Sequence, residues 1–328
     1  MEVVLIHQKA LVSANKQTVV VTGATGFIGE FLAKSLVDKG FNVRTYCRRP
    51  ISSELRQYIK PEDIYEGELT AGPSLLSALK GVSAVFHVAG LAHSGHVGLK
   101  QALDVNLEGT KSVYSACIEA GVGKLIYFST ILVTGLQTSA YVKSKRAAEE
   151  FLLSHENSAS NLEVTVLRPA SVYGPRMKGN LRTFVLLAKR GLLPALPVID
   201  SRFPLISLSD LCDVAITESQ KEILAGRISF YDVTDGQEYT PNRIEDGVYD
   251  ALGRSKPALR IPKVALFLAA TLAHMANFFG IKKNDVGLSL YRNLMKHRGT
   301  TNTNLYHFAP TDTLEQQMPA IIDSFYWK

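Results

Sequence analysis

Two side chains in this sequence have the types and spacing for proton transfer at an alcohol or carbonyl oxygen. In Tyr141-Val142-Lys143-Ser144-Lys145, Tyr141 and Lys145 stand at i and i+4, which places them on one face of a helix. A phenol with its ordinary pKa of about 10 is too little ionised to act as a base at neutral pH. An adjacent ammonium stabilises the phenolate and lowers that value. Tyr141 then takes a proton from a hydroxyl, or gives one to a carbonyl oxygen, as a hydride moves, and Lys145 has the reach to bond a nicotinamide ribose. Tyr127-Phe128-Ser129-Thr130 reads as a strand tip just before this helix. The Thr130 hydroxyl is suited to hold and orient the same substrate oxygen, with Ser129 as the neighbouring alternative. A Tyr-x-x-x-Lys spacing alone also describes an ordinary helix-surface pair, so its meaning depends on what surrounds it.

A glycine loop near the start of the chain supplies that surrounding. Val21-Thr22-Gly23-Ala24-Thr25-Gly26-Phe27-Ile28-Gly29 follows a β-branched run, Thr18 to Thr22, and opens a helical pattern. Gly23 permits the tight turn, Gly26 lets the backbone approach a pyrophosphate, and Gly29 lets helix and strand pack closely. The N–H groups of Thr25, Phe27 and Ile28 then lie at a helix N-terminus, where the dipole favours an anion. The second strand ends at Cys47-Arg48-Arg49 with no acidic side chain for a ribose 2′-OH. Arg48 is placed to pair with a 2′-phosphate through a charge-assisted fork, helped by Arg44 or Arg49. The pattern favours NADP, with NAD as the alternative.

These residues need a parallel α/β scaffold. Strand patterns at Thr18 to Thr22, Phe41 to Cys47, Ala84 to Val88, Lys124 to Ser129 and Val164 to Arg168 alternate with helical ones at Phe27 to Lys39, Ser74 to Leu79, Gly109 to Ala120 and Tyr141 to Ser154. That order predicts βαβ units and a Rossmann-type, doubly wound parallel sheet. Gly40 reads as the residue that ends the first helix. After Pro175 glycines and prolines mark loops, and from Pro241 the chain reads mainly helical, with helices at Pro241 to Leu252 and near Val264. The expected plan has an N-terminal extension (1–16), a dinucleotide-binding domain (17–175, to which 205–235 returns) and a smaller, mainly helical substrate-binding part (176–204 and 236–328).

The bulk numbers narrow the classes. With 328 residues, 46% hydrophobic and 20% charged, the chain has the composition of a globular protein. Its net charge of +6 comes without a dense basic run interleaved with aromatics, so no nucleic-acid partner is expected. Three widely spaced cysteines, Cys47, Cys117 and Cys212, argue against a disulfide framework and against a metal site. No secretory signal and no transmembrane run are seen, which implies a cytoplasmic protein. The apolar stretch Val264 to Phe279 leaves peripheral membrane contact open.

Taken together, the motifs resemble the extended short-chain dehydrogenase/reductase superfamily, of the NAD-dependent epimerase/dehydratase type. The likeness runs from about Thr18 to Tyr326 and includes, besides the glycine loop and Tyr141/Lys145, Gly67-Glu68-Leu69, His87-Val88-Ala89-Gly90, Asn106 with Gly109-Thr110, Leu167-Arg168-Pro169, Val172-Tyr173-Gly174-Pro175 and Ser209-Asp210-Leu211. The resemblance implies that Glu68 and Leu69 lie near the adenine, that Ala89 and Gly90 line the cofactor groove, and that Pro169 passes close to the nicotinamide. His87 and Asn106 read as structural side chains. A homodimer is also implied.

For the substrate two subgroups compete. The stretch from Gly174 to Asn180 is similar to one in enzymes of nucleotide sugars, where Asn180 and the arginines Arg182, Arg202, Arg292 and Arg298 are candidates to hold a diphosphate. The aliphatic segment from Val264 fits hydroxysteroid dehydrogenases and other reductases of apolar ketones. Only ten residues separate Thr130 from Tyr141, fewer than in many members of the superfamily. The leading expectation is an NADP-dependent oxidoreductase or epimerase acting on a nucleotide sugar. The alternatives are a reductase of an apolar ketone and a cofactor-binding sensor without turnover.

Overall fold

A computed structural model describes residues 16–70, 72–92, 98–136, 139–192, 195–257, 259–278, 291, 295 and 304–325. The expected N-terminal extension, apart from Lys16, lies outside the described residues, as do Phe279, Arg292 and Arg298.

Seven parallel strands form the main sheet. They are β1 (Thr18–Thr22), β2 (Asn42–Cys47), β3 (Ile64–Glu66), β4 (Ala84–His87), β5 (Lys124–Phe128), β6 (Glu163–Pro169) and β9 (Ile228–Val233), in the order β3-β2-β1-β4-β5-β6-β9. β1 is central and buried from both sides, with Val19, Val20 and Val21 fully covered. That explains its unbroken β-branched sequence, since a strand covered on both faces needs no alternation. The chain winds outward from β1 through β2 and β3, then returns to start β4 on the other side. Thr22 and His87 end β1 and β4 in register. The switch point of the sheet therefore lies between these two strands, and ligands of open α/β sheets bind beyond such a point.

Helices cover both faces. On one side α1 (Phe27–Asp38) packs with a helix of residues Leu208–Gln220 in a cluster containing Val19, Val21, Leu32, Leu36, Phe86 and Ile126. Gly40, at φ +89°, lets the chain leave α1. On the other side α2 (Pro73–Leu79), a short α3 (Leu99–Leu103) that runs through a π-turn at Asp104–Glu108, α4 (Gly109–Glu119) and α5 (Ala140–Leu153) follow in order. Val20, Leu79, Val113, Tyr127, Ala148 and Val166 form the core there.

The remaining elements build a third cluster. β7 (Ser171–Tyr173) pairs in parallel with β8 (Phe203–Ser207), and β10 (Glu238–Tyr239) pairs antiparallel with β8. The helices α6 (Asn180–Lys189), α8 (Pro241–Ala251) and α10 (Leu314–Asp323) pack with them through Tyr173, Phe184, Leu196, Val248, Met318 and Ile322. The helix Leu208–Gln220, which is α7, leaves β8 and returns to the main sheet. Ile206 thus belongs to the small sheet, while the helix after it serves the large one. Phe27 packs against this core and against the one beneath α1. α9 (Lys263–Phe278) touches the small core through Leu266 and leaves Val264, Leu268 and Leu272 more than half exposed.

Candidate active site

The glycine loop has the geometry expected of a phosphate cradle. Gly23 has φ +75°, and a Cβ there would lie 2.7 Å from both Cα and N of Ala89. A Cβ on Gly29 would lie 2.4 Å from the Gly23 carbonyl oxygen. The loop is therefore pressed against the end of β4, and helix α1 is pressed against the loop. Gly26 caps α1 and brings no side-chain oxygen to its first turn, so the N–H groups there are suited to an anionic ligand.

Buried side chains lock the loop to the neighbouring elements. Ala89 N donates to Thr22 Oγ1 at 3.3 Å, Thr22 Oγ1 lies 2.8 Å from His87 Nδ1, His87 Nε2 lies 3.1 Å from Thr110 Oγ1, and Thr110 Oγ1 donates to the Asn106 carbonyl at 2.6 Å. A hydroxyl has a single proton. Thr110 spends its proton on Asn106, so His87 donates from Nε2 and accepts from Thr22 at Nδ1. Complete burial, with a contribution from Lys145, pushes the imidazole down to about 3, which agrees with a neutral ring. Asn106 continues the lacing: its side chain bonds both N and O of Leu91 and donates to Ser144 Oγ at 2.8 Å. Both His87 and Asn106 are satisfied structural groups.

Three consecutive residues at the end of β5 are each met by a residue of α5, spaced four apart. The Tyr141 phenol lies close enough to the Thr130 side chain for it to bear on the phenol's ionisation. Lys145 Nζ donates to the Phe128 carbonyl at 2.6 Å. Ser129 Oγ donates to a Glu149 carboxylate oxygen. Ser129, considered above as a substrate partner, thus has its proton committed to a buried carboxylate, and Thr130 is the hydroxyl that faces Tyr141. Burial raises the Tyr141 phenol to about 12, and the Thr130 side chain draws it back. Burial lowers the Lys145 ammonium to about 7, opposed by the charge of Glu149. Lys145 Nζ also lies 4.5 Å from the centroid of the Tyr127 ring, a cation–π contact. A Cβ on Gly90 would meet Asn106 Oδ1 at 2.9 Å and Lys145 Nζ at 3.3 Å, so the groove wall beside the ammonium has to be free of a side chain.

The short segment after Thr130 is closed down onto α5. The Thr130 hydroxyl accepts from Leu132 N at 3.3 Å and caps a 3-10 turn, Ile131–Thr134. Arg146 then donates to the carbonyls of Val133 and Gly135.

Where the adenine is expected, Gly67 N bonds Cys47 O and Tyr46 Oη donates to Glu68 O at 3.0 Å, fixing the Gly67-Glu68-Leu69 turn beyond β2 and β3. Leu69 packs where a Cβ on Gly109 would stand. Arg48 and Glu68 are both exposed, with Arg48 Nε 3.9 Å from Glu68 Oε1. Arg44 is corrected as a helper for a 2′-phosphate: its guanidinium donates to the carbonyls of Ala78 and Lys80 and pairs with Asp63. Its guanidinium is held at the C-terminal end of α2 instead. Arg49 is exposed. Pro169 is buried at the end of β6.

Asn180 begins α6. Arg182 lies over the Phe325 ring at 5.3 Å, and Arg202 pairs with Glu238 at 3.2 Å. No group of carboxylate, histidine and thiol side chains suited to a metal occurs among the described residues. The three cysteines are buried thiols, and no helix among the described residues is long and apolar enough to cross a membrane.

The sequence profile of the 3-beta hydroxysteroid dehydrogenase/isomerase family matches residues 20–197, more than half of the chain. The chain belongs to that family. It is an NAD(P)-dependent enzyme of the extended short-chain dehydrogenase/reductase superfamily, and an oxidoreductase or epimerase by type. Among relatives of this family member, short-chain dehydrogenase/reductase family 42E member 1 of Xenopus laevis is 29% identical over 300 residues, covering 80% of the chain and 75% of that protein. The ceramide reductase of Caulobacter vibrioides is 28% identical over 279 residues and covers 84% of each. The solved structure of MoeE5 with UDP-glucuronic acid and NAD has the same fold, with a TM-score of 0.68, 20% identity, and 94% and 98% of the two chains covered.

One residue that sequence reasoning passed over is now prominent. Glu149 stands at i+4 from Lys145, a spacing that carries a signal, and Arg168, whose Nη2 lies 2.6 Å from Glu149 Oε2, lies in the Leu167-Arg168-Pro169 motif.

Proposed function

We propose that the protein is an NADP-dependent oxidoreductase that interconverts a secondary alcohol and a ketone on an apolar molecule. The observation that carries the chemistry is the matched set of contacts between α5 and the end of β5, which puts Tyr141 against Thr130 and Lys145 beside Gly90. Gly23, Thr25, Gly26, Phe27, Ile28 and Gly29 would hold the pyrophosphate, Arg48 the 2′-phosphate, Glu68 and Leu69 the adenine, and Ala89, Gly90, Lys145 and Pro169 the nicotinamide half. Bound NADP supplies the site that accepts or gives the hydride. The chain supplies the proton chemistry. Tyr141 Oη takes the proton from the alcohol or returns it to the ketone oxygen, Thr130 Oγ1 orients that oxygen, and Lys145 stabilises the phenolate.

An apolar substrate is supported by three observations. Arg182 and Arg202 are engaged on different elements, with Phe325 and Glu238. Apolar side chains stand exposed on α9. A relative of similar length is a ceramide reductase. A nucleotide sugar is the second reading, favoured by Asn180 and Arg182 at the start of α6 and by the UDP-glucuronic acid in the MoeE5 structure.

Thermal shift with NADPH and a panel of long-chain ketones, UDP-glucose and UDP separates the two. The first reading expects a ketone to raise Tm further than NADPH alone and UDP to leave it unmoved. A shift with UDP that is lost in Arg182→Ala or Arg202→Ala transfers the choice to the nucleotide sugar.

A further inference from the structure

The face of α5 that carries Tyr141 and Lys145 continues one turn deeper to Glu149, which is buried. Besides Ser129, its carboxylate is gripped by Arg168: Nε lies 3.1 Å from each oxygen and Nη2 2.6 Å from Oε2. Arg168 Nη1 stands 3.9 Å from Asp232 Oδ1, and the guanidinium lies 4.8 Å over the Phe230 ring. Burying an ion pair is often no better for stability than apolar residues of the same volume. Stability alone therefore gives no reason for a charged cluster directly behind the reactive lysine.

We propose that Glu149 is the positioning residue of this site: through Ser129 it fixes the strand end that presents Thr130, and through its charge it keeps Lys145 protonated over the pH range in which Tyr141 works. Hydrogen bonds carry the first half, and the i, i+4 spacing of Lys145 and Glu149, both buried on α5, puts the carboxylate on the same helix face as the ammonium. Phe128 and Ser129 are bonded to Lys145 and Glu149 respectively, so Thr130 has little freedom to drift from Tyr141. The groups facing Lys145 come from every neighbouring element. His87 on β4 is neutral, and Tyr127 on β5 is held un-ionised by burial. Tyr141 and Glu149 share its helix, Arg168 on β6 lies behind Glu149, and Asp232 on β9 lies behind Arg168. Glu149 is the charge that opposes the effect of burial on Lys145. Without it, the nearest ion of the cluster would be a guanidinium of like sign.

The inference rests on the cofactor reading above, because Lys145 would report its charge through a bond to the ribose. The test is NADPH affinity, followed by cofactor fluorescence from about pH 5.5 to 9.5, a window that spans the Lys145 titration. The proteins are the parent, Glu149→Gln, Glu149→Asp and the double variant Glu149→Gln/Arg168→Met. In the parent, affinity falls roughly tenfold as Lys145 loses its proton. In Glu149→Gln the midpoint of that fall moves down by about one pH unit or more. In the double variant it moves less, since the repelling guanidinium is gone. Glu149→Asp keeps the charge and restores the parental midpoint. Asp232, whose carboxyl burial raises to about 6, gains charge as pH rises, which acts in the opposite sense and does not mimic the shift. A purely structural clamp would weaken binding equally at every pH, and an unmoved midpoint in Glu149→Gln overturns the inference while leaving the cofactor reading intact. If Glu149→Gln does not fold, the double variant decides: its midpoint still lies below the parental one, by less than in Glu149→Gln, and an unmoved midpoint there overturns the inference. A parent that binds neither NADPH nor NADH overturns the cofactor reading and this inference with it.

Discussion

The Lys145 ammonium donates to the Phe128 carbonyl oxygen at 2.6 Å. The lysine proposed to hold a ribose therefore also ties the end of β5 to α5. Lys145→Ala is expected to leave a buried carbonyl without that partner, at a cost of about 1–3 kcal/mol, and to weaken NADPH binding as well. Chemical denaturation and a cofactor titration on the same protein check both. A variant as stable as the parent would show that the tie is not needed.

The cofactor preference turns on Arg48. NADPH is expected to bind more tightly than NADH, and Arg48→Ala to erase that difference by lowering NADPH affinity roughly tenfold while NADH is unaffected, as for loss of one charge-assisted bond. Arg48 stands 3.9 Å from Glu68, so Glu68→Gln is expected to strengthen NADPH binding slightly by removing a competing anion. Fluorescence titration with both nucleotides is the measurement, and equal affinity in the parent rejects the assignment.

Gly23 is irreplaceable on two counts. Its φ of +75° is strained for any side chain, and a Cβ would sit 2.7 Å from the Ala89 backbone. Gly23→Ala is expected to cost about 1–3 kcal/mol from backbone strain alone, with a further loss from pushing β4 away. Tm should fall, and NADPH binding should fall more than Tm accounts for.

Much of this was legible in the sequence because it is local. The β1–loop–α1 unit announces itself by β-branched residues, glycine spacing and helical periodicity within a short stretch, and Tyr141 with Lys145 by one helical interval. The doubly wound sheet followed from alternation. What escaped was contact between distant segments. Arg44 looked like a companion of Arg48, yet the carbonyls of Ala78 and Lys80 and the carboxylate of Asp63, all distant in sequence, hold its guanidinium. Ser129 looked like a spare for Thr130 until Glu149 on the next helix claimed its proton. The helix α6 was not placed because glycines and prolines around it read as loop, and α10, inside a stretch read as mainly helical, was not given its bounds because Pro319 obscures its pattern, although Thr313 with Gln316 forms a capping box that marks where it starts.

His87 gives a pH prediction. Its folded-state value is about 3 against an ordinary 6.5. Between these values the unfolded chain binds the extra proton, so stability is full above about pH 6.5 and declines as pH falls towards 3, by roughly 3–5 kcal/mol from this group. His87→Gln supplies a donor and an acceptor but does not titrate. It is expected to be less stable than the parent at pH 7 and to lose less stability on acidification. Urea denaturation at pH 7 and pH 4.5 measures the difference, and parallel losses in the two proteins would contradict it.

The central claim is that Tyr141 moves the proton. Tyr141→Phe keeps the ring and removes only the hydroxyl, so NADPH affinity is expected to stay near the parental value. The direct measurement is a single turnover of the NADPH complex with a ketone found in the thermal-shift panel, followed by the loss of NADPH absorbance. The account predicts a rate about 10²–10⁴-fold below the parent, the usual range for losing a positioned acid. A Tyr141→Phe protein that reacts at the parental rate would contradict it.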